Sequence, residues 1–189
     1  MSKKIVIAED EPITRMDISE ILTGAGYNVV GMASDGFDIV EMCKSLKPDL
    51  VLMDIKMPLL DGLKASRILL EEEIASCIVL LTAYSTREFI NEAKGIGVMG
   101  YIVKPINEKN LLPAIEIALA KDEEMKYMKE SMEKAKGELE ARKLVERAKG
   151  ILMNKGNVTE EEAYNMIRKL SMDKRAPMKD IAKAIIMNR

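Results

Sequence analysis

The 189-residue sequence contains no histidine and no tryptophan, and only two cysteines. Without histidine, nucleophile activation by imidazole, metal binding by imidazole and a phosphohistidine within this sequence are all excluded. Cys43 and Cys77 stand in apolar surroundings without metal-ligand spacing, which predicts two buried, reduced thiols. No apolar run approaches the roughly 18 residues that cross a bilayer, and acidic residues follow the N-terminus too closely for a signal peptide. We therefore expect a cytoplasmic protein with no membrane partner.

Charge is distributed unevenly along the sequence, although the formal net charge is only -2. Residues 1–120 hold twelve basic and eighteen acidic side chains, whereas residues 140–189 hold twelve basic and seven acidic ones. A basic C-terminal part is expected when one module binds an anionic partner, although solvated lysines give the same difference. The length suits one core of about 100 to 150 residues plus a smaller unit.

Short apolar runs alternate with amphipathic segments through the first 120 residues. The runs cover residues 4–8, 28–33, 50–53, 77–82 and 100–103. The helix-start signals between them are Pro12, Asp61 before Gly62, a capping box of Ser85 with Glu88, and Asn107. Five such repeats predict an α/β fold, in which a doubly wound, five-stranded parallel sheet of the flavodoxin-like order 2-1-3-4-5 carries helices on both faces.

An apolar repeat with alternating spacings of three and four follows the last predicted strand. Its positions are Leu111, Ala114, Ala118, Lys121, Met125, Met128, Met132, Ala135 and Leu139. Only Lys121 is not apolar, so the pattern predicts a coiled-coil linker helix over residues 121–139 and a homodimer, at least when the protein is activated. A long amphipathic helix lying on its own domain gives the same pattern.

Three helical patterns occupy residues 140–189. The first runs from residue 140 to about residue 154, the second opens at Thr159 with Glu162 as its capping partner, and the third begins at Pro177. They predict a small three-helix all-α domain. Its candidate core positions are Val145, Ala148, Leu152, Ala163, Met166, Ile167, Leu170, Ile181, Ala184 and Ile185.

Carboxylates stand at the ends of two predicted strands. Glu9 and Asp10 follow the first strand and Asp54 ends the third, and these strands are neighbours in the predicted order. Three carboxylates repel one another unless a hard cation lies among them, so the arrangement predicts a Mg2+ site. Thr82 and Lys104, at the ends of the fourth and fifth strands, add a hydroxyl and an ammonium group. This set suits phosphoryl transfer to an aspartate, because metal and lysine neutralise the transferred oxygens.

Residues 1–120 resemble a response-regulator receiver domain. The matching motifs are Glu9-Asp10, the D-I-K-M-P-x-x-D-G run from Asp54 to Gly62, Thr82-Ala83, and Tyr101 with Lys104-Pro105. The resemblance implies that Asp54 is the phosphoacceptor and that Asp10, Asp54 and the Lys56 backbone carbonyl bind Mg2+, with Glu9 acting directly or through water. It also implies that Thr82 and Lys104 hold the phosphoryl oxygens, and that Tyr101 changes rotamer with Thr82. Glu9 departs from the more usual aspartate.

The resemblance also implies a partner and a limit on catalysis. Because the chain has no histidine, the expected phosphoryl donor is a cognate histidine kinase. The chain is then no enzyme beyond phosphoryl transfer to its own aspartate. A phosphatase with an aspartyl nucleophile is the alternative, but no cap domain or second positioned acid supports it.

Two interpretations compete for residues 140–189. The first is a helix-turn-helix that reads duplex DNA, as in a DNA-binding transcription factor, although the third helix offers few polar side chains for base edges. The second is a resemblance to the ANTAR domain, the three-helix RNA-binding module of antiterminators. The matching segments are residues 148–153, residues 159–164, Arg168-Lys169 and Ser171-Met172. The implied organisation is a receiver domain at 1–120, a linker at 121–139 and an ANTAR domain at 140–189.

The combined resemblance implies a phosphorylation-activated regulator that dimerises and binds stem-loops of nascent mRNA to prevent transcription termination. Ethanolamine utilisation is one candidate operon type. RNA loops are bound through phosphate contacts and base stacking, and each candidate residue has solvation or core packing as its alternative role. The candidate RNA-binding residues are Lys149, Lys155, Tyr164, Arg168, Lys169 and Arg175.

Overall fold

A computed structural model describes residues 2–83 and 87–188, without the side chains of residues 87–90. The elements of the N-terminal part are β1 (Lys4–Ala8), α1 (Pro12–Gly24), β2 (Asn28–Ala33), α2 (Gly36–Leu46), β3 (Leu50–Asp54), α3 (Gly62–Glu71), β4 (Ile78–Thr82), α4 (Arg87–Ile96) and β5 (Gly100–Val103). They are followed by α5 (Glu108–Gly156), α6 (Glu160–Lys174) and α7 (Met178–Met187). The predicted strands are confirmed, with one-residue differences at the end of β3 and the start of β4.

The five strands form one parallel sheet in the order β2-β1-β3-β4-β5, as predicted. Ala8 of β1 pairs with Met53 of β3, and Thr82 of β4 pairs with Val103 of β5. This register brings the residues that follow β1 beside the end of β3, and the ends of β4 and β5 to the same edge of the sheet.

Alternate strand residues face two separate cores, because successive side chains on a strand point to opposite faces. On one face Val6, Val51 and Leu80 pack with residues of α2, α3 and α4. On the other face the neighbouring strand residues pack with α1 and with the first turns of α5; these strand residues are Ile5, Ile7, Leu50, Leu52, Val79 and Leu81. Cys43 and Cys77 are buried thiols inside these two cores, as predicted, and burial raises the pKa of Cys43 to about 12.

Side-chain caps define two helix starts that the sequence predicts. Asp61 accepts a hydrogen bond from the Lys64 backbone N–H and begins α3. Thr159 and Glu162 form the predicted capping box of α6. The predicted box of Ser85 with Glu88 lies outside the described residues.

The chain forms two compact units, residues 1–125 and 126–189. Helix α5 is continuous from Glu108 to Gly156, so the predicted linker and the first predicted helix of the C-terminal domain are both parts of α5. The predicted boundaries at residues 120 and 139 coincide with no helix end, and they stay a prediction. Within the described ranges, no helix is long and apolar enough to span a membrane.

The apolar repeat of α5 serves two different environments. Leu111 and Ala118 are buried in the N-terminal unit, whereas Met125, Met132 and Leu139 are exposed. The alternative interpretation, in which the helix packs on its own domain, therefore holds for Leu111 and Ala118 but not for the exposed positions that follow.

The C-terminal unit has a small core of its own in which Ala148, Ile167 and Ala182 are buried. The partly buried residues around them are Leu144, Val145, Leu152, Met178, Ile181, Ile185 and Ile186. Met166 and Leu170, predicted for this core, are 45% and 40% exposed, and Ala184 is also exposed. Sequence spacing placed them wrongly because a short helix against two neighbours buries only a narrow stripe.

Candidate functional site

Three carboxylates converge at the C-terminal edge of the sheet. Glu9 and Asp10 follow β1 and Asp54 ends β3, and one oxygen of each lies within 4.8 Å of the others. Glu9 is fully buried, Asp54 is 5% exposed, and Asp10 is open to solvent. The sequence predicted this cluster from the strand ends alone.

Lys104 bridges the two buried carboxylates from the end of β5. Its Nζ donates hydrogen bonds of 3.0 Å to Asp54 Oδ2 and 3.0 Å to Glu9 Oε1. Its backbone N–H donates to the Thr82 carbonyl oxygen at 2.8 Å, which fixes the base of the side chain beside β4. The Lys104 ammonium group is therefore held between the carboxylates of Glu9 and Asp54.

Burial and ion pairing act together on the ionisation of this cluster. Burial raises the pKa of Glu9, and the hydrogen bond from Lys104 offsets this only in part. Burial also acts to lower the pKa of Lys104, but its hydrogen bonds with Glu9 and Asp54 outweigh burial, so the pKa is raised. Lys104 is thus held firmly as a cation.

A small cavity of about 220 Å³ opens beside Asp54. Its lining residues are Asp10, Asp54, Ile55, Lys56, Thr82, Ala83 and Lys104. Thr82 is 4% exposed, whereas Tyr101 on β5 is 43% exposed and is not among the lining residues. The cavity brings together the predicted acceptor, two predicted metal-binding residues, the hydroxyl and the ammonium group.

The carboxylate cluster fits a hard divalent cation, since Mg2+ binds a few carboxylate oxygens together with water. Glu9 Oε2 lies 2.8 Å from Lys104 Nζ, at an angle that makes no hydrogen bond. Within the described residues this buried oxygen has no hydrogen-bond partner. This buried oxygen is therefore held by its ion pair with Lys104.

Two residues of the site were missed by the sequence reasoning. Gly62 begins α3 directly against β3, where an added Cβ atom would lie 1.9 Å from the Asp54 carbonyl oxygen. Arg15 of α1 donates through Nη1 to the Glu9 backbone carbonyl. The sequence shows a glycine directly after the capping residue Asp61, but it does not show that Gly62 lies against the Asp54 backbone.

The candidate RNA-binding residues of the C-terminal unit separate into different environments. Tyr164 and Arg168 fall within about 40° of each other around α6, whereas Lys169 lies about 100° beyond Arg168. Arg175 is the left-handed residue directly after the last turn of α6. Tyr164 is 42% exposed, and the three basic side chains are exposed. Lys155, also exposed, stands near the end of α5, where Nζ donates to the Asn188 carbonyl oxygen at 3.5 Å.

Lys149 is held between two glutamates. Its Nζ lies 2.6 Å from Glu160 Oε1 and 2.9 Å from Glu146 Oε2. The side chain of Lys149 is only 9% exposed, whereas Glu160 is 68% exposed and Glu146 is 56% exposed. The two glutamates therefore lie between the lysine side chain and solvent. Hydrogen bonds with Glu160 and Glu146 raise the pKa of Lys149. This geometry favours a link between α5 and α6 over a contact with RNA phosphates.

We expect Lys149→Met to loosen α6 rather than to weaken RNA binding. Without the ammonium group the link to Glu160 is lost, so amide hydrogens of α6 should exchange faster, as measured by hydrogen exchange of peptides that span α6. Lys183→Met, at an exposed lysine of α7, is the matched control and should leave that exchange unchanged. Weaker RNA binding with unchanged exchange would instead assign Lys149 to the RNA contact.

Comparison with known proteins matches both units of the chain. A family model described as "Response regulator receiver domain" matches residues 5–116, and one described as "ANTAR domain" matches residues 133–186. The "Transcriptional regulatory protein PdtaR" of Mycobacterium tuberculosis is 42% identical over 184 residues, covering 97% of this chain and 89% of that protein. The "Chemotaxis protein CheY" of Thermotoga maritima is 35% identical, covering 61% of this chain and 96% of that protein.

Solved structures match the N-terminal unit. The signal receiver domain of NarL from Mycobacterium tuberculosis has a TM-score of 0.60 and 26% identity, covering 63% of this chain and 97% of that one. CheY in the CheX-CheY-BeF3-Mg+2 complex from Borrelia burgdorferi has a TM-score of 0.57 and 25% identity, covering 60% of this chain and 86% of that one.

Proposed function

Because the chain belongs to the response regulators, with an N-terminal receiver domain and a C-terminal ANTAR domain, we propose that it is a phosphorylation-switched antiterminator that dimerises and binds RNA stem-loops. Both matched families are regulatory, and neither indicates an enzyme. The observation that carries the proposal is Lys104 bridging Glu9 and Asp54 in a chain that also matches the ANTAR family.

Asp54 is the proposed phosphoacceptor, and a cognate histidine kinase is the proposed donor. Strand β3 positions the Asp54 carboxylate at the rim of the cavity, and Lys104 Nζ lies 3.0 Å from Asp54 Oδ2. In the phosphorylated state Lys104 would hold a phosphoryl oxygen, and the Thr82 hydroxyl would hold another. Neutralising these oxygens stabilises the acyl phosphate and the transition state that leads to it.

Asp10, Asp54 and the Lys56 backbone carbonyl are the proposed Mg2+ ligands, with Glu9 acting directly or through water. A bound Mg2+ supplies charge neutralisation for the transferred oxygens. The three converging carboxylates support this assignment, as does the similarity to the CheX-CheY-BeF3-Mg+2 complex from Borrelia burgdorferi. Glu9 is one methylene longer than aspartate, and its burial holds the carboxylate at the cluster.

Phosphorylation is proposed to shift the receiver toward a state that favours dimers. Thr82 and Tyr101 are the proposed switch residues, because Thr82 lines the cavity while Tyr101 stands half exposed on the neighbouring strand. A dimer presents two ANTAR domains to neighbouring RNA hairpins, which increases avidity without any new contact. Ethanolamine utilisation stays a prediction for the operon type.

For RNA contact, the proposal favours the face of α6 that carries Tyr164 and Arg168, together with Arg175 at the C-terminal end of the helix. Half-exposed Tyr164 offers a stacking surface, and the two exposed arginines offer cations for phosphates. Lys169 and Lys155 lie apart from this face, so they are expected to add less. Lys149 is the weakest candidate because its charge is matched by two glutamates.

The test is a fluorescence anisotropy titration against tandem-hairpin RNA and a duplex DNA of equal charge, at fixed salt, with and without beryllofluoride and Mg2+. We expect preference for RNA, and tighter RNA binding when beryllofluoride is present. Equal or tighter binding to duplex DNA would favour a DNA-binding transcription factor and contradict the antiterminator proposal.

A pair of variants on one helix sharpens that titration. We expect Arg168→Ala to weaken RNA binding about tenfold and Lys169→Ala about twofold or less, since only Arg168 shares a face with Tyr164. Equal losses would show that binding depends on the total charge of α6 and not on one face.

A further inference from the structure

The C-terminal part of α5 carries a polar stripe on the side that faces away from the core of its unit. Spacings of four, three and four residues place its members within about 60° of one another around the helix. Ala148 and Leu152, which pack in that core, lie on the opposite side of α5. Three members of the stripe are exposed, and its glycine is partly exposed. We call this set the α5 stripe, and its members are Lys143, Arg147, Gly150 and Asn154.

The α5 stripe is positively charged, and its polar groups are available to a ligand. Within the part of the chain that the structure describes, Arg147 and Asn154 make no ion pair and no side-chain hydrogen bond. Lys143 lies 3.9 Å from Glu140 of the same helix, an exposed pair that holds the ammonium group only weakly. The stripe therefore offers two cations and one amide, and none of its four residues is acidic.

Gly150 lies between Arg147 and Asn154 on the stripe, where neither backbone conformation nor packing requires a glycine. Among the described residues the glycines with positive φ are Gly26 and Gly97. A Cβ atom added at Gly150 would meet nothing within 4 Å. Because alanine favours a helix over glycine, the glycine lowers the stability of α5. What it provides is an open surface at which a ligand can approach the helix backbone.

The composition of the α5 stripe favours RNA over a protein helix as the ligand. A helix that packs on another helix in water buries apolar side chains, and the stripe contains none. An RNA strand instead binds cations through its phosphates, and it binds amides through its ribose hydroxyls and base edges. Glu146, an acid beside the stripe, lies 2.9 Å from Lys149, so its charge is matched within the chain.

We infer that the α5 stripe binds the sugar-phosphate backbone of RNA, with its two cations at phosphates and with Gly150 as the point of closest approach. The Asn154 amide binds a ribose hydroxyl or a base edge. The inference rests on the RNA binding in the proposed function and adds a second contact surface to the α6 face of Tyr164 and Arg168. The two surfaces adjoin, because Tyr164 lines a shallow cavity with Lys149, the residue before Gly150. One RNA molecule can therefore contact both.

The first test compares two glycine substitutions in the same helix. It uses the full chain with beryllofluoride and Mg2+, and it measures anisotropy with tandem-hairpin RNA at fixed salt. Gly150→Ala should weaken RNA binding about fivefold to tenfold, because the new methyl group keeps the RNA strand away from α5. The same change should raise the midpoint of urea unfolding or leave it unchanged, so loss of the fold would not explain weaker binding.

Gly137→Ala is the matched control for Gly150→Ala. Nothing lies within 4 Å of its new methyl group either, so the effect of alanine on the helix is the same. Its neighbours about one turn away include Glu133 and Glu140, which would repel a phosphate. Gly137→Ala should therefore keep the RNA affinity of the unaltered protein.

A pair of arginine variants tests the charge of the α5 stripe. Arg147→Ala should weaken RNA binding about fivefold and should lower the slope of log K against log salt concentration by about 1. Arg142, also exposed, lies about 140° away from Arg147 around the helix. Arg142→Ala should therefore weaken binding about twofold or less.

Three results would count against the inference, and they differ in what else they affect. Unchanged RNA affinity in the Gly150→Ala protein, or equal losses in Arg147→Ala and Arg142→Ala, would overturn the α5 stripe alone. If Gly150→Ala lost RNA affinity and also became monomeric in analytical ultracentrifugation, Gly150 would belong to a contact between two copies. If the unaltered protein showed no preference for RNA, the proposed function would be wrong, and this inference with it.

Discussion

Asp54→Asn is expected to abolish phosphorylation of the protein by acetyl phosphate and Mg2+, and with it any gain in RNA affinity. An amide oxygen is a much poorer nucleophile than a carboxylate and forms no acyl phosphate. Lys104 keeps its hydrogen bond to Glu9, so the fold should persist in the variant. Intact-protein mass spectrometry measures the added phosphoryl group, and anisotropy with tandem-hairpin RNA measures the gain in affinity.

Asp49, at the other end of β3 from Asp54, provides a matched control. Asp49, just before β3, accepts a hydrogen bond from the Lys4 backbone N–H at 2.7 Å and lies away from the cavity. Asp49→Asn keeps an acceptor oxygen and should leave phosphorylation unchanged. If the Asp54→Asn protein still gained one phosphoryl group, the acceptor would be another residue and the proposed site would be wrong.

Gly62→Ala is expected to destabilise the N-terminal unit by about 3 kcal/mol and to slow phosphorylation strongly. The added Cβ would lie 1.9 Å from the Asp54 carbonyl oxygen and 2.9 Å from the Asp54 carbonyl carbon. These are backbone atoms of a buried strand, so they cannot rotate away as a side-chain end can. Either β3 or the start of α3 must move, and both movements displace the Asp54 carboxylate from Lys104.

Urea unfolding followed by circular dichroism measures the loss of stability, since the chain has no tryptophan to report by fluorescence. Gly95→Ala, in α4, is the matched control because nothing lies within 4 Å of the new methyl group. That change should be neutral or should stabilise by up to about 1 kcal/mol, as alanine favours a helix. Equal stability of the Gly62→Ala and wild-type proteins would mean that β3 and α3 are not as closely packed as the structure indicates.

The two substitutions separate chemistry from architecture. Asp54→Asn removes the acceptor group from an intact site, whereas Gly62→Ala keeps the group and moves its support. If both abolish the response to acetyl phosphate but only Gly62→Ala lowers the unfolding midpoint, the position of the carboxylate is as necessary as its presence.

The repeat of strands and helices was predictable because it depends on local signals. Apolar runs of four to six residues, each followed by an amphipathic segment, admit few arrangements other than a parallel sheet with helices on both faces. The carboxylate cluster followed from the same reasoning, since the C-terminal ends of parallel strands meet at one edge. The convergence of Asp10, Asp54 and Lys104 could be predicted from their positions at strand ends alone.

The basic residues of the C-terminal unit were not predictable in the same way. Lys149 and Arg168 look alike in the sequence, yet one is enclosed by Glu146 and Glu160 while the other is exposed. The partner Glu160 comes from another helix, so no spacing rule within α5 reveals it. Met166 and Leu170 were assigned to the core for the same reason, because periodicity identifies an apolar stripe but not its width.

The sequence by itself determined the order of elements, the period of the apolar repeat of α5, and the strand ends that carry Glu9, Asp10, Asp54, Thr82 and Lys104. Only the tertiary structure decided that Lys104 contacts both buried carboxylates, that Gly62 abuts Asp54, and that the apolar repeat is buried at Leu111 and exposed at Met132. The physical reason is the range of the interactions. Hydrophobic period and capping act within a few turns of chain, whereas contact distance, burial and charge pairing depend on residues that the fold brings together from distant positions.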